Sequence, residues 1–292
     1  MGGGGIEIDT VSQYLMEKQK EKSICKIQID KIEKGFGFLC RIPKLNNKIL
    51  IADISSIDET INNNLKFEII LNDTNRKEIS FSKILSRVYY KDKNTNIIVI
   101  EIKGIDLIDE DQFLELDSNI LTNDPNNIYK KKEIYFLPYK IKKKIFPTGI
   151  INYIEKDFRI KHNSNDFDGG QFSFPILLIE NRKVIGFNKD KGHGIFLKSI
   201  IENFINAFKI SSIKKEEEKR KKEEEKRKKE EEKRKKEEQI RKKEEQIRKK
   251  EEQIKLSEEK KDIKIMKNIL YLKFNIESND LNHDIYLFDK YL

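Results

Sequence analysis

Few residues in this chain have side chains that could do chemistry. Histidine occurs three times, at His162, His193 and His283, and none stands earlier in the sequence. Cysteine occurs twice, as Cys25 and Cys40, with no CxxC or Cys/His cluster, so neither a metal site nor a disulfide framework is expected. There is no P-loop, no dinucleotide fingerprint and no HExxH, and no cofactor is expected. A serine nucleophile needs a base within hydrogen-bond reach, and Ser173 with His162 or His193 is the best pairing available. The alternative is a turn histidine and a packed or solvated serine. Ser173 follows Gly169 and Gly170, which suit a tight turn that needs positive φ. Two acidic groups, Asp53 with Asp58 and Glu59, and Asp109 with Glu110 and Asp111, lie in turn-like sequence and are read as solvated. The short loop Lys189-Asp190-Lys191-Gly192-His193-Gly194 is read as a turn, with phosphate binding as its alternative.

Short strands must position these residues. β-type runs occupy 23–29, 37–42, 48–54, 66–71, 77–81 and 96–102, the last almost continuous isoleucine and valine. A second set covers 133–137, 148–154, 158–162, 174–179 and 183–187. Many short strands separated by Asn, Asp, Gly and Lys turns predict an all-β barrel or sandwich. Apolar residues at 200, 201, 204, 205 and 208 then follow helical spacing. Residues 7–22 are mostly polar and suit a short helix or a flexible segment, and Cys25 and Cys40 are expected to be reduced, on neighbouring strands.

Of 292 residues, 38% are charged and 37% hydrophobic, with a net charge of +9. Residues 214–255 hold 21 Lys/Arg and 15 Glu, leaving 39 basic and 36 acidic side chains elsewhere. The basicity therefore belongs mostly to one repeat, and nucleic-acid binding is not expected, Lys142-Lys143-Lys144 being its best support. The opening Met-Gly-Gly-Gly-Gly-Ile lacks the regions of a secretory signal, and no apolar run is long enough to span a bilayer. The expectation is a cytoplasmic protein. Gly2 suits myristoylation except that Ile6 stands where Ser or Thr is preferred, and the alternative is a flexible N-terminus.

Within this frame, Asp166-Phe167-Asp168-Gly169-Gly170-Gln171-Phe172-Ser173-Phe174-Pro175 resembles the nucleophile loop of trypsin-like serine proteases, Gly-Asp-Ser-Gly-Gly-Pro. Three further landmarks fall in family order. Gly35-Phe36-Gly37-Phe38-Leu39-Cys40 is similar to the family's Gly-x-Gly-Phe-Phe-Cys strand. Thr95-Asn96-Ile97-Ile98-Val99-Ile100 resembles the strand supplying the triad aspartate, and Val184-Ile185-Gly186-Phe187 the strand after the nucleophile loop. Ile49-Leu50-Ile51-Ala52-Asp53-Ile54-Ser55 sits where the family has a strand running into its histidine.

The resemblance implies a mainly β protein: a double β-barrel of the trypsin-like type over 23–208, ending in a helix. It also implies that the triad is replaced. The histidine position is Ser55, the aspartate position Asn96 and the nucleophile, three residues before Pro175, Phe172. Ser173 is a weak substitute, one residue out of register, and Phe172 would plug the old site. Gly169 and Gly170 would form either a plain turn or an inert oxyanion-like loop.

Residues 214–255 are six unbroken heptads, from Lys-Lys-Glu-Glu-Glu-Lys-Arg to Lys-Lys-Glu-Glu-Gln-Ile-Lys. Every glutamate but Glu252 has a basic residue four positions later, the favourable orientation on a helix. The segment 209–262 is therefore expected to be a charged helix, 214–255 spanning about 63 Å. A coiled coil wants two apolar positions per heptad, and only Ile240, Ile247 and Ile254 appear, so a single helix is expected for 214–238, whereas these three, with Leu256 just beyond them, suit weak pairing or docking on a partner. Residues 263–292 turn β-like again, 269–276 and 284–288 flanking Ser278-Asn279-Asp280, and predict a terminal β-hairpin.

These readings converge on a catalytically inactive serine-protease homologue that binds a protein or peptide partner or acts as a scaffold. The competing expectation is a divergent active endopeptidase.

Overall fold

The computed structural model describes residues 8–43, 45–57, 66–81, 87–140, 146–164 and 173–278. It divides into two compact units, Met1–Lys215 and Glu216–Leu292. The first opens with α1 (Thr10–Ser23), capped by Asp9, whose carboxylate accepts from the Ser12 amide at 2.9 Å. Although α1 is mostly polar, it docks: Met16 is buried, and Gln19 accepts from the Tyr135 hydroxyl at 2.6 Å.

An eight-stranded sheet follows. It comprises β1 (Ile24–Ile29), β2 (Ile32–Arg41), β3 (Lys48–Asp53), β4 (Lys66–Leu71), β5 (Asn75–Ser80), β6 (Tyr89–Asp92), β7 (Ile97–Glu101) and β8 (Leu114–Glu115). The order is β5-β4-β1-β2-β3-β7-β6, with β8 parallel to β2. Ladder hydrogen bonds do not close this sheet among the described residues, yet its ends meet. The rings of Phe81, just past β5, and Tyr89 on β6 pack edge-on at 6.0 Å. Arg87 donates to the Ser80 carbonyl at 3.2 Å and the Glu101 carbonyl at 2.5 Å, and is clamped by two 2.7 Å bonds to Asp106.

The second sheet is a closed barrel, β10-β11-β14-β13-β12-β9. Its strands are β9 (Glu133–Phe136), β10 (Thr148–Ile154), β11 (Arg159–Ser164), β12 (Pro175–Leu178), β13 (Val184–Asp190) and β14 (His193–Phe196). The short helix α2 (Pro125–Tyr129) precedes it and α3 (Lys198–Ser278) follows. Gly149 lets β10 meet β11 closely, since a Cβ there would lie 2.3 Å from the Asn163 carbonyl oxygen. Mostly β with a closed six-strand barrel, a second sheet and a long C-terminal helix, the architecture agrees with the sequence-level fold class.

Successive strand residues face opposite ways, and here both faces are covered. Leu39, Leu50, Ala52, Ile98 and Ile100 point into the curl of the first sheet with Cys25, Ile27, Phe67 and Ile79. Their neighbours Phe38, Cys40, Ile49, Ile51, Ile97 and Val99 join the core of the second barrel and α3. Phe38 reaches Phe187 with ring centroids 6.0 Å apart. Burial on both faces is why 96–102 reads as nearly continuous isoleucine and valine. Cys25 and Cys40 are free, buried and on neighbouring strands, as expected, but they belong to different cores.

The helix corrects one expectation. Ile200, Ile201 and Phe204 are buried, as the spacing requires, but α3 runs without a break to Ser278. The hairpin's first strand, 269–276, is therefore helical. Its isoleucines and leucines repeat at steps of three and four, and the preceding run of strong helix formers extends into them. The second proposed strand, 284–288, lies outside the described residues.

Candidate functional site

The two implied triad positions in the first sheet converge, and the residue that joins them is Asp53. It ends β3 and caps the 3-10 turn Ile54–Ser56, accepting from the Ser55 amide at 3.0 Å. The Ser55 hydroxyl donates to the same Oδ1 at 2.6 Å. Asn96 closes the turn before β7 in a left-handed conformation, φ 55°, which asparagine tolerates. This aims its side-chain amide at Asp53 Oδ1, 2.6 Å away, while its carbonyl accepts from the Ile54 amide at 3.1 Å.

The fourth donor crosses from the closed barrel. Lys189 on β13 lies 3.1 Å from Asp53 Oδ2, and its ammonium sits 4.9 Å above the Phe187 ring. Asp53 is thus not the solvated turn acid its sequence context suggests, because its side chain is only 17% exposed and holds donors on both oxygens. Asp58 and Glu59, its sequence neighbours, lie outside the described residues. In the other acidic group, Glu110 receives Lys48 and Arg41, and Asp111 receives Lys22 at 2.5 Å.

Phe172, Gly169 and Gly170 lie outside the described residues. Ser173 is described and half-buried, with φ 105°, a conformation uncommon for a residue with a Cβ. Its amide donates to the Asn188 carbonyl at 3.1 Å, and the Asn188 amide returns a bond to Phe174 at 2.8 Å. Asn188 is fully buried, and its Oδ1 lies 3.2 Å from His162 Nε2. Ser173 and His162 therefore share Asn188 as a common neighbour.

His162 is not a turn histidine but a buried residue of β11, its ring 5.0 Å from that of Phe136. Burial pushes its pKa down to about 4, so the ring is neutral near pH 7 and a weak base. His193 turns to its own hairpin instead, with Nδ1 2.6 Å from Asp190 and Lys161 against Nε2. The loop proposed for phosphate is thus the β13–β14 turn with an acid in it. Both cysteine thiols are pushed upward by burial, Cys25 to about 12, which keeps them protonated and inert.

Among the described residues no group of three His, Cys, Asp or Glu is placed to hold a metal ion. No described helix is long and apolar enough to cross a membrane. A surface depression of about 230 Å³ beside β8, lined by Arg41, Pro43, Glu115 and Lys183 among others, shares no residue with the Asp53 cluster.

What this arrangement offers chemically is hydrogen bonding and one paired cation at the junction of two β units. Sequence reasoning singled out Ser55 and Asn96, named Lys189 only within the 189–194 loop, and did not consider Asn188. Lys189 belongs to a strand whose polar end looks like a turn, and nothing in its local sequence points to residue 53.

No protein-family model and no curated protein sequence matches the chain. Among solved structures, tobacco etch virus protease complexed with product is similar at 12% identity and TM-score 0.38, over 67% of this chain and 77% of that one. The HtrA-type protease AlgW with tripeptide is similar at 12% identity and TM-score 0.41, over 65% and 61%. Neuropsin, a serine protease of mouse brain, is similar at 10% identity and TM-score 0.37, over 64% and 96%.

Proposed function

We propose that this chain is a triad-lacking homologue of the trypsin-like serine proteases, a cytoplasmic binding or scaffolding protein without peptidase activity. The observation that carries the reading is the occupation of Asp53. Triad chemistry needs an imidazole held by a carboxylate and facing a serine. Here the carboxylate between the two implied positions is bound by Ser55 and Asn96 and ion-paired to Lys189. The cation neutralises the charge that would stabilise an imidazolium, and the chain has no histidine before residue 162. The buried free thiols of Cys25 and Cys40 suit a reducing compartment. A protein or peptide partner is the ligand class expected for such a module.

One observation favours a second reading, a divergent active endopeptidase. Ser173 and His162 both bond to Asn188, which puts a serine and an imidazole in one neighbourhood. Against it, His162 is buried and its pKa is low, so it is poorly matched to general-base work near neutral pH.

Treating the folded full chain with a fluorophosphonate probe, alongside a generic peptide substrate, separates the two. The binding-protein reading expects neither labelling nor hydrolysis. Labelling that vanishes in both Ser173→Ala and His162→Gln, with folding intact, establishes the enzyme instead.

A further inference from the structure

The Asp53 cluster includes a serine whose surroundings suit covalent modification. Ser55 and Ser56 stand side by side in the 3-10 turn Ile54–Ser56, yet the fold treats them differently. Ser56 is 2% exposed and packs under Gly35, where an added Cβ would fall 2.1 Å from its hydroxyl oxygen. Ser55 is exposed, just past the end of β3. Its hydroxyl donates to Asp53 Oδ1 at 2.6 Å, while Lys189 holds the other carboxylate oxygen at 3.1 Å.

The charges along the sequence around Ser55 are of one sign. Asp53 lies two residues before it, and Asp58 and Glu59 lie three and four after it. From Ile49 to Leu65 there is no lysine or arginine. An exposed serine in such a run is complementary to an enzyme with a basic substrate groove, and an acidic groove would repel it.

We propose that Ser55 is a phosphorylation site for an acid-directed serine kinase, and that the phosphate loosens the tie between the first sheet and the closed barrel. The Ser55 oxygen bonds to the γ-phosphorus of a nucleoside triphosphate as the bond from that phosphorus to the β–γ bridging oxygen breaks. The nucleoside diphosphate leaves, and the hydroxyl proton passes to solvent. Two things then happen at Asp53. The ester oxygen carries no hydrogen, so the bond to Oδ1 is lost. A group of about −1.5 to −2 charge at pH 7 also stands beside the carboxylate, and the Lys189 ammonium is shared between two anions. The repulsion falls on the residue that caps the turn, holds Asn96 and reaches β13. None of this depends on whether the β unit is a peptidase.

Incubating the folded full chain with an acid-directed serine kinase and ATP, followed by peptide mass spectrometry, tests the site. One added phosphoryl group is expected on Ser55, and none at this turn in Ser55→Ala. The thermal midpoint of the β unit, read by near-UV circular dichroism, is expected to fall by roughly 4 °C on phosphorylation. Ser55→Glu installs a charge without a kinase and is expected to lower the midpoint in the same direction. In the Asp53→Asn background, which keeps an oxygen acceptor but removes the charge, Ser55→Glu is expected to lower it less. Absence of phosphate from Ser55 in the folded chain, phosphate on Ser56 instead, an unchanged midpoint in the phosphorylated chain, or a Ser55→Glu shift undiminished by Asp53→Asn overturns the proposal.

Discussion

Lys189 Nζ lies 3.1 Å from Asp53 Oδ2, so a side chain of the closed barrel neutralises a carboxylate at the tip of the first sheet. Both groups are largely shielded, at 22% and 17% exposure. Because Asp53 also holds Ser55 and Asn96, it ties a strand end, a 3-10 turn and a left-handed turn to the other barrel.

Asp53→Ala removes a cap and leaves four donors without their acceptor, which is expected to cost about 2–3 kcal/mol. Lys189→Met keeps the cap and the turn bonds and is expected to cost about 1 kcal/mol. Urea unfolding followed by tyrosine fluorescence reads both, since the chain has 10 Tyr and no Trp. The double variant should cost less than the sum of the two. Additive losses would show that the ion pair does not couple the barrels.

Arg87 and Asp106 make a different kind of pair, with side chains 0% and 3% exposed. Removing one partner of a buried pair strands the other charge, so Arg87→Met is expected to cost about 3–5 kcal/mol. Replacing both, as Arg87→Met with Asp106→Leu, should recover much of that loss. The same urea titration decides it, and a double variant as unstable as the single one would mean that the four bonds of Arg87 matter more than the charge balance.

His162 sets an acid limit on the β unit. The unfolded imidazole protonates near the ordinary 6.5, whereas burial holds the folded one down to about 4. The unfolded state therefore binds more protons between these values. The stabilisation is fully present above about pH 6.5 and is lost as pH falls towards about 4, by on the order of 3 kcal/mol. Thermal unfolding by near-UV circular dichroism should show the slope over that window, and His162→Gln should flatten it.

The helix has a lower window. Glu224, Glu231, Glu238 and Glu245 are held below the ordinary carboxylate value of 4.5 by hydrogen bonds to Lys228, Lys235, Lys242 and Lys249. A lowered carboxylate stabilises above its unfolded value, so helix content should hold down to pH 4.5 and fall below it. Protonating the acids also leaves the lysines and arginines of the repeat unopposed. A 222 nm signal that falls between pH 6.5 and 4.5, in step with the near-UV signal, would contradict this separation.

Much of the β unit could be read from residue order. The runs 66–71 and 148–154 match β4 and β10 end to end. The strands that escaped notice are Tyr89–Asp92, Leu114–Glu115 and His193–Phe196. They are short, and polar or glycine-containing, and owe their state to ladder partners such as Tyr90 with Val99 or His193 with Lys161. The reverse error fell at 269–276, where β-branched residues suggested a strand although their steps of three and four belong to a helix.

Local chemistry in the sequence settled the helical state of the repeat, since every glutamate but Glu252 has a base four residues on and no distant contact is needed. It also settled the absence of an early histidine. Only the tertiary structure decided what Asp53, Asn188 and Lys189 do. Their partners lie 136 residues away for the Lys189–Asp53 pair and 26 for Asn188 with His162. Hydrogen bonds and ion pairs act over a few ångströms, and no local pattern in the sequence records which distant strands the fold brings that close.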